Sequence, residues 1–196
     1  MKKLSLLLLT GAMSLSLVGC GQNIPTTAAD GAKWDDSWVT VGGILGVDTP
    51  AGLDSRENND TLGVNGMYYA TWSSGEAEPY INADGEDTDL YDAQLYVLLA
   101  GTKSTEEAEG AAAEWLEMAS GQYRIEAAST GTYNGQEFTV ITYTFSSDTN
   151  PYAHGASAFG VYRNYAVSAE LSCRENFDGD AQTALADFLE NCHYAA

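Results

Sequence analysis

The side chains able to do chemistry in this chain are few and scattered. Cysteines stand at Cys20, Cys173 and Cys192, histidines at His154 and His193, and 28 acidic residues face 8 basic ones. A zinc site needs several nitrogen or sulfur ligands converging on one centre. Two histidines without a Cys-x-x-Cys or His-Glu-x-x-His spacing give it little to build on. His154, within Pro151-Tyr152-Ala153-His154-Gly155, reads as a loop residue, and His193 lies just beyond a helical pattern. Both are expected to make local hydrogen bonds. Gly155-Ala156-Ser157-Ala158-Phe159 departs from the nucleophile elbow at its last position. No phosphate loop or dinucleotide fingerprint is present, and no cofactor is expected.

The acidic run from Asn82 to Asp92 comes nearest to a metal-binding pattern. Calcium takes several carboxylate and carbonyl oxygens, and Asn82, Asp84 and Glu86 are the candidate ligands, with Gly85 at the turn. Tyr80 stands where a first ligand is needed, and Tyr91 where a bidentate glutamate is needed. A solvated acidic loop is therefore the expected reading. The twelve tyrosines concentrate in part around Tyr68, Tyr69, Trp72, Tyr80, Tyr91 and Tyr96. Exposed, they would form a binding face. Alternating with apolar residues in strands, they are expected to pack in the core with their hydroxyls reaching outward.

Near the start of the chain, Lys2 and Lys3 precede the apolar run Leu4-Ser5-Leu6-Leu7-Leu8-Leu9, and Leu17-Val18-Gly19-Cys20 follows. The apolar stretch is short for a bilayer span, which takes about 20 residues. Positive residues, an apolar stretch and small residues at the end fit a secretory signal. Leu17-Val18-Gly19-Cys20 resembles the lipobox of bacterial lipoproteins. That resemblance implies removal of residues 1–19, a diacylglyceryl thioether on Cys20 and a further acyl chain on its new amino group. Two or more chains anchor stably where one holds only marginally. The expected location is the cell membrane, lipid-anchored and facing outward, or the periplasm of a two-membrane cell. Membrane lipid is then the first partner.

Residues 20–32, small, polar and without periodicity, read as the lipidated cysteine and a flexible spacer. Residues 33–196 suit a single α+β globular domain. The formal charge is −20, and loss of Lys2 and Lys3 makes the mature chain more acidic still. Nucleic acid is not an expected partner, because there is no basic stripe to displace counterions from phosphates. Anionic lipid would also repel the domain.

The clearest local pattern is Ser104-Thr105-Glu106-Glu107, a capping box. Apolar residues then recur at helical spacing through Ala119, and Gly121 supplies a stop, which predicts a helix over about 104–120. A second helix is predicted over about 180–192, entered at Asp178 or Asp180. Strands are expected at Ser37–Val41, Met67–Trp72, Leu90–Leu99, Tyr123–Thr132, Phe138–Phe145, Ala156–Arg163 and Tyr165–Cys173, with a hairpin turn at Asn134-Gly135. Arg56–Asp60 reads as an exposed loop, and Ser73–Asp89 shows little order. Strands grouped on either side of one helix argue for an α+β fold with an antiparallel sheet of about 6–7 strands.

Cys173 ends the last long strand and Cys192 ends the last helix. An extended Arg174–Gly179 segment would let the returning helix set the two side by side, and a disulfide is possible. A tight turn would hold them beyond the roughly 7 Å between Cα atoms that bridging allows.

The element order and the Asn134-Gly135 hairpin, over about Trp38 to Tyr194, resemble the PsbP-like family of small lipoprotein and extrinsic domains. The resemblance implies a domain that docks on a larger partner and performs no chemistry of its own. The expected function is a noncatalytic, membrane-anchored surface lipoprotein module that binds a protein or envelope partner. The alternative is a lipid-anchored hydrolase or glycan-acting enzyme using Asp or Glu carboxylates, for which 28 acidic residues supply pairs by chance.

Overall fold

Ser104 accepts a hydrogen bond from the Glu107 amide through its side chain, and Glu107 accepts one from the Lys103 amide, so the first helix begins where the capping box puts it. The computed structural model describes residues 34–59, 66–82, 84–146 and 150–195. The signal segment, the lipobox with Cys20 and the spacer lie outside the described residues.

The elements in chain order are β1 (Val39–Val41), β2 (Leu45–Val47), β3 (Asp54–Asn59), β4 (Met67–Ser74), β5 (Glu78–Ile81), β6 (Asp87–Leu90) and β7 (Ala93–Gly101). Then come α1 (Thr105–Gln122), β8 (Arg124–Tyr133), β9 (Gln136–Thr144), β10 (His154–Tyr162), β11 (Tyr165–Cys173), α2 (Ala181–Glu190) and β12 (Cys192–Tyr194). Seven strands form one antiparallel sheet in the order β3-β4-β7-β11-β10-β9-β8, and β1-β2-β12 and β5-β6 form two smaller ones. The fold is α+β, built mostly of sheet. At the β8–β9 turn Asn134 and Gly135 both take positive φ, 42° and 79°, the geometry a two-residue hairpin of this kind requires.

The central strands of the large sheet, β4, β7, β11 and β10, are largely buried on both faces. On one side Val97, Leu99, Val167, Ala169 and Leu171 pack with Trp72 against Leu185, Phe188 and Leu189 of α2, and β1, β2 and β12 add Val41, Leu45, Val47 and Cys192 to this core. On the other side Leu98, Ala100, Ile141, Phe159 and Ala166 meet Ala108, Ala111, Ala112, Trp115 and Ala119 of α1. The small side chains along α1 let it lie close on β10 and β11.

Several elements differ from expectation. Arg56 to Asn59 is not a loop but part of the edge strand β3, whose pairing with β4 is interrupted by a bulge between Ser55 and Glu57. Ser73–Asp89 contains the β5–β6 hairpin. His154 opens β10, paired with Cys173 and Thr144, instead of lying in a loop. Gly121 does not stop α1; the helix runs to Gln122 and ends at Tyr123, whose extended backbone leads straight into β8.

The possible Cys173–Cys192 disulfide is corrected: both are buried, free thiols. Tight turns follow Cys173, with the Phe177 amide bonded to Arg174 O and the Gly179 amide to Phe177 O. Helix α2 therefore starts beside Cys173, and its ten residues carry the chain about 15 Å back along the sheet. Cys192 arrives at the opposite end, where Asn134 donates to its carbonyl and the Tyr162 hydroxyl donates to Ala195 O. Cys173 stays at the His154 end of β10, a strand about 27 Å long. Burial, with Asp180 adding to it, pushes the Cys173 thiol up to about 12, and burial raises Cys192 as well. Denatured without reductant, the protein should expose Cys173 and Cys192 as titratable thiols that do not react in the native state; labelling of neither would contradict this arrangement.

Candidate functional site

Strand β11 alternates regularly, so Val167, Ala169 and Leu171 enter the α2 core while Ser168, Glu170 and Ser172 take the α1 face. Glu170 is the one charged residue of the strand. Register decides what it meets. It lies opposite Tyr96 on β7 and Ser157 on β10, and Tyr96 in turn lies opposite Thr71 on β4. One cross-strand row thus holds Thr71, Tyr96, Glu170 and Ser157. Two residues further along each strand, the next row holds Ser73, Gln94, Ser172 and Gly155.

Aromatic rings flank the carboxyl on both sides. Tyr96 stacks on Tyr69 with ring centroids 5.6 Å apart. Across β11, Tyr123 at the C-cap of α1 stacks on Tyr143 of β9 at 4.1 Å, and Phe145 meets both edge-on. A Cβ on Gly155 would come within 2.7 Å of the Tyr143 hydroxyl and 2.5 Å of Leu171 O. Glycine at that position lets the Tyr143 ring tip lie over β10, toward β11.

The Tyr123 hydroxyl donates to Glu170 Oε1 at 3.0 Å. Ser157 Oγ lies 3.5 Å from Glu170 Oε2 and 3.3 Å from the Tyr143 hydroxyl, and its single proton can serve one of them at a time. Ser172 Oγ, wholly buried, makes no hydrogen bond of good geometry, although it lies near the Tyr143 hydroxyl. Among the described residues the ion pairs belong to Arg56 with Asp54 and to Arg174 with Glu78 and Asp92, and none includes Glu170.

The electrostatic consequence follows from that environment. Burial pushes the Glu170 carboxyl from the ordinary 4.5 to about 7, against the opposing effect of the hydrogen bonds from Tyr123 and Ser157. Tyr96, Tyr123 and Tyr143 are all raised, by burial first and then by charges that include Glu170. Near neutral pH the site therefore holds a carboxyl that exchanges a proton readily, ringed by hydroxyls that stay protonated.

The residues singled out from the sequence lie elsewhere. Asn82 Oδ1 accepts from the amides of Asp84 and Glu86, at 3.0 and 2.9 Å, so this oxygen closes the β5–β6 turn on itself. Asp84 and Glu86 are exposed around it. No group of three or more His, Cys, Asp or Glu suited to a metal occurs among the described residues. His193 stacks on Trp38 at 4.2 Å with its Nδ1 3.0 Å from Asn134 Nδ2, at the end of the sheet away from His154, so the two histidines are not brought together. Ser157 is mid-strand and fully buried, unlike a nucleophile at a turn. Of the tyrosines, Tyr69 sends its hydroxyl to Glu57 at 2.7 Å and not to solvent. Glu170 was hidden in the sequence as the polar member of an ordinary alternation. Its only signal was an acidic residue between two serines in a strand otherwise made of small and apolar residues and one tyrosine.

No protein-family model matches the chain. No curated protein sequence matches it either. Among solved structures it is similar to a protein of Bacteroides thetaiotaomicron VPI-5482, at 9% identity and a TM-score of 0.48 over 80% of this chain and 47% of that one. The chain thus spans about half the length of that protein. It is also similar to the solution structure of cyanobacterial PsbP (CyanoP) from Synechocystis sp. PCC 6803, at 14% identity and a TM-score of 0.42, over 76% of this chain and 86% of that one.

The raised Glu170 makes the native state bind more protons than the unfolded chain between pH 4.5 and 7. Stability then falls as pH rises through that window and is level above it. A Glu170→Gln variant should match the wild type near pH 4 and exceed it by about 3 kcal/mol at pH 8 in urea unfolding, as the rise from 4.5 to about 7 implies. Equal stability of the two at pH 8 would show that the carboxylate carries no burial penalty.

Proposed function

We propose that this chain is a lipid-anchored envelope lipoprotein whose folded part docks, without chemistry of its own, on an extended segment of a partner protein. The observation that carries the proposal is the edge formed by β8. It ends the seven-stranded sheet, it is ten residues long, and its residues from Glu126 to Thr130 are exposed along both faces. From Ala127 to Tyr133 it carries no charge, in a chain whose formal charge is −20. An open strand edge is a template for pairing with another chain, and proteins ordinarily blunt such edges with charges, bulges or short strands. Strand β8 has its own bulge between Ile125 and Ala127 and charges at Arg124 and Glu126, so its unguarded stretch runs from Ala127 to Tyr133. The opposite edge is guarded along its length: β3 is six residues long, charged at Asp54, Arg56 and Glu57, and bulged. Strand addition to β8 would give main-chain hydrogen bonds for affinity and alternate side chains for specificity.

The resemblance of Leu17-Val18-Gly19-Cys20 to a lipobox supplies the anchor, and residues 20–32 supply a tether that lets the edge reach a neighbour. The acidic surface favours a partner that is neutral or basic around its docking segment, and it disfavours β8–β8 pairing of two copies.

A photo-crosslinking residue at Ser129, used in the native cell, should trap a specific partner, whereas one at Asp54 on the guarded edge should not. The added charges of Ala128→Lys with Thr130→Lys should abolish the adduct while leaving the fold intact by circular dichroism. Adducts of equal yield at both edges, adducts only between copies of this chain, or none at Ser129 would each overturn the proposal.

A further inference from the structure

A carboxylate half-buried among aromatic rings, with no cation beside it among the described residues, is an incomplete arrangement. Glu170 and Tyr96 lie opposite each other and both keep part of their surface exposed. The stacked pair Tyr69–Tyr96 lies on one side of Glu170 and the Tyr123–Tyr143–Phe145 group on the other. Glu57, bonded to the Tyr69 hydroxyl, adds a second negative charge that Tyr96 senses together with Glu170. We infer that this face of the sheet, between Tyr96 and Glu170, is a binding site for an organic cation, a primary ammonium or guanidinium group.

The chemistry of the site selects that class. A hard metal ion needs several oxygens converging at short range, and the site offers one carboxyl, hydroxyls and ring faces. An organic cation is bound well by a ring face within about 6 Å of its charge together with a carboxylate acceptor. Tyr123 already holds Oε1, which leaves Oε2, shared only with Ser157, as the acceptor for the incoming N–H. The overall charge of −20 raises the local concentration of any cation around the chain.

Binding has a built-in pH dependence. The groups around Glu170 are Tyr123 from α1, Tyr143 from β9, Ser157 from β10, Tyr96 from β7 and Tyr69 from β4, with Glu57 of β3 beyond them. The tyrosines are held protonated, so near neutral pH Glu170 is the group that titrates, with a midpoint of about 7. The cation binds the ionised form, whose share at pH 6 is about one tenth of that at high pH.

Such a cation could be a free amine or the side chain of a basic residue in a docked protein, and calorimetry on the full chain in detergent separates the two. Butylammonium is the first probe and the neutral-flanked tripeptide amide Ala-Lys-Ala, acetylated at its amino end, is the second. Saturable binding of at least one probe at pH 8 is expected, weakened about tenfold by pH 6, lost at least tenfold in Glu170→Gln, and weakened several-fold in Tyr96→Leu. Tighter binding of the amine assigns a free ligand, and tighter binding of the peptide assigns a protein side chain. No saturable binding of either probe, or affinity unchanged in Glu170→Gln, would overturn the inference. Neither outcome depends on what pairs with β8.

Discussion

A strand packed between helices on both faces leaves little wet surface on which to keep a charge, and β11 is such a strand. It runs through the middle of the seven-stranded sheet with α2 on one face and α1 on the other. Its alternation sends Val167, Ala169 and Leu171 one way and Glu170 the other, so a carboxyl enters a layer that burial would ordinarily reserve for neutral groups. The neighbouring strands then answer with hydroxyls and rings: Ser157 and Tyr96 in register with it, Tyr143 one row along, and Tyr123 from the end of α1. The surrounding groups satisfy the carboxyl without neutralising it. From that single constraint follow its proximity to neutrality and the protonated state of the tyrosines around it.

The helices set the boundaries of this arrangement. Helix α1 has small residues along its sheet-facing side and continues past Gly121, which delivers Tyr123 onto Glu170. Had the helix stopped at Gly121, Tyr123 would not sit at the cap. Helix α2 works on the other face, where Phe188 meets Trp72 edge-on at 4.9 Å and closes the core beneath the same strands. The tight turns that start α2 beside Cys173 also fix Cys192 at the far end, so the two thiols share a layer without sharing an end of it.

Much of the fold was legible in the sequence, for definite reasons. Ser104 to Glu107 announced α1 because capping is a local contest for amides, and Asn134-Gly135 announced the hairpin because its backbone geometry suits few residue pairs. The run Tyr165–Cys173 matched the bounds of β11, but Ser168 and Ser172, expected to face outward, are buried and Glu170 is half-buried. The elements missed were short or polar stretches whose strand character comes from a pairing partner and not from an apolar alternation of their own. Asp54–Asn59 is polar throughout and becomes a strand only by pairing with β4. Glu78–Ile81 and Asp87–Leu90 pair only with each other, and Cys192–Tyr194 gains its place from β2. Glu170 was unreadable for a related reason. Alternation predicts which face a residue takes, whereas only register and the path of α1 reveal that this face is covered and that its neighbours are tyrosines. The acidic run around Asn82 was conspicuous as a local pattern, yet Asn82 spends its side-chain oxygen on the backbone of its own turn.

The most direct test of this account is the titration of the Glu170 side-chain carboxyl itself. Carbon-13 NMR of selectively labelled protein, with Glu170→Gln for assignment, reads it without reference to ligand or stability. The account predicts a midpoint of about 7, set by burial against the hydrogen bonds from Tyr123 and Ser157. A midpoint at the ordinary 4.5 would show that Glu170 is solvated or paired, and would contradict the arrangement on which the rest depends.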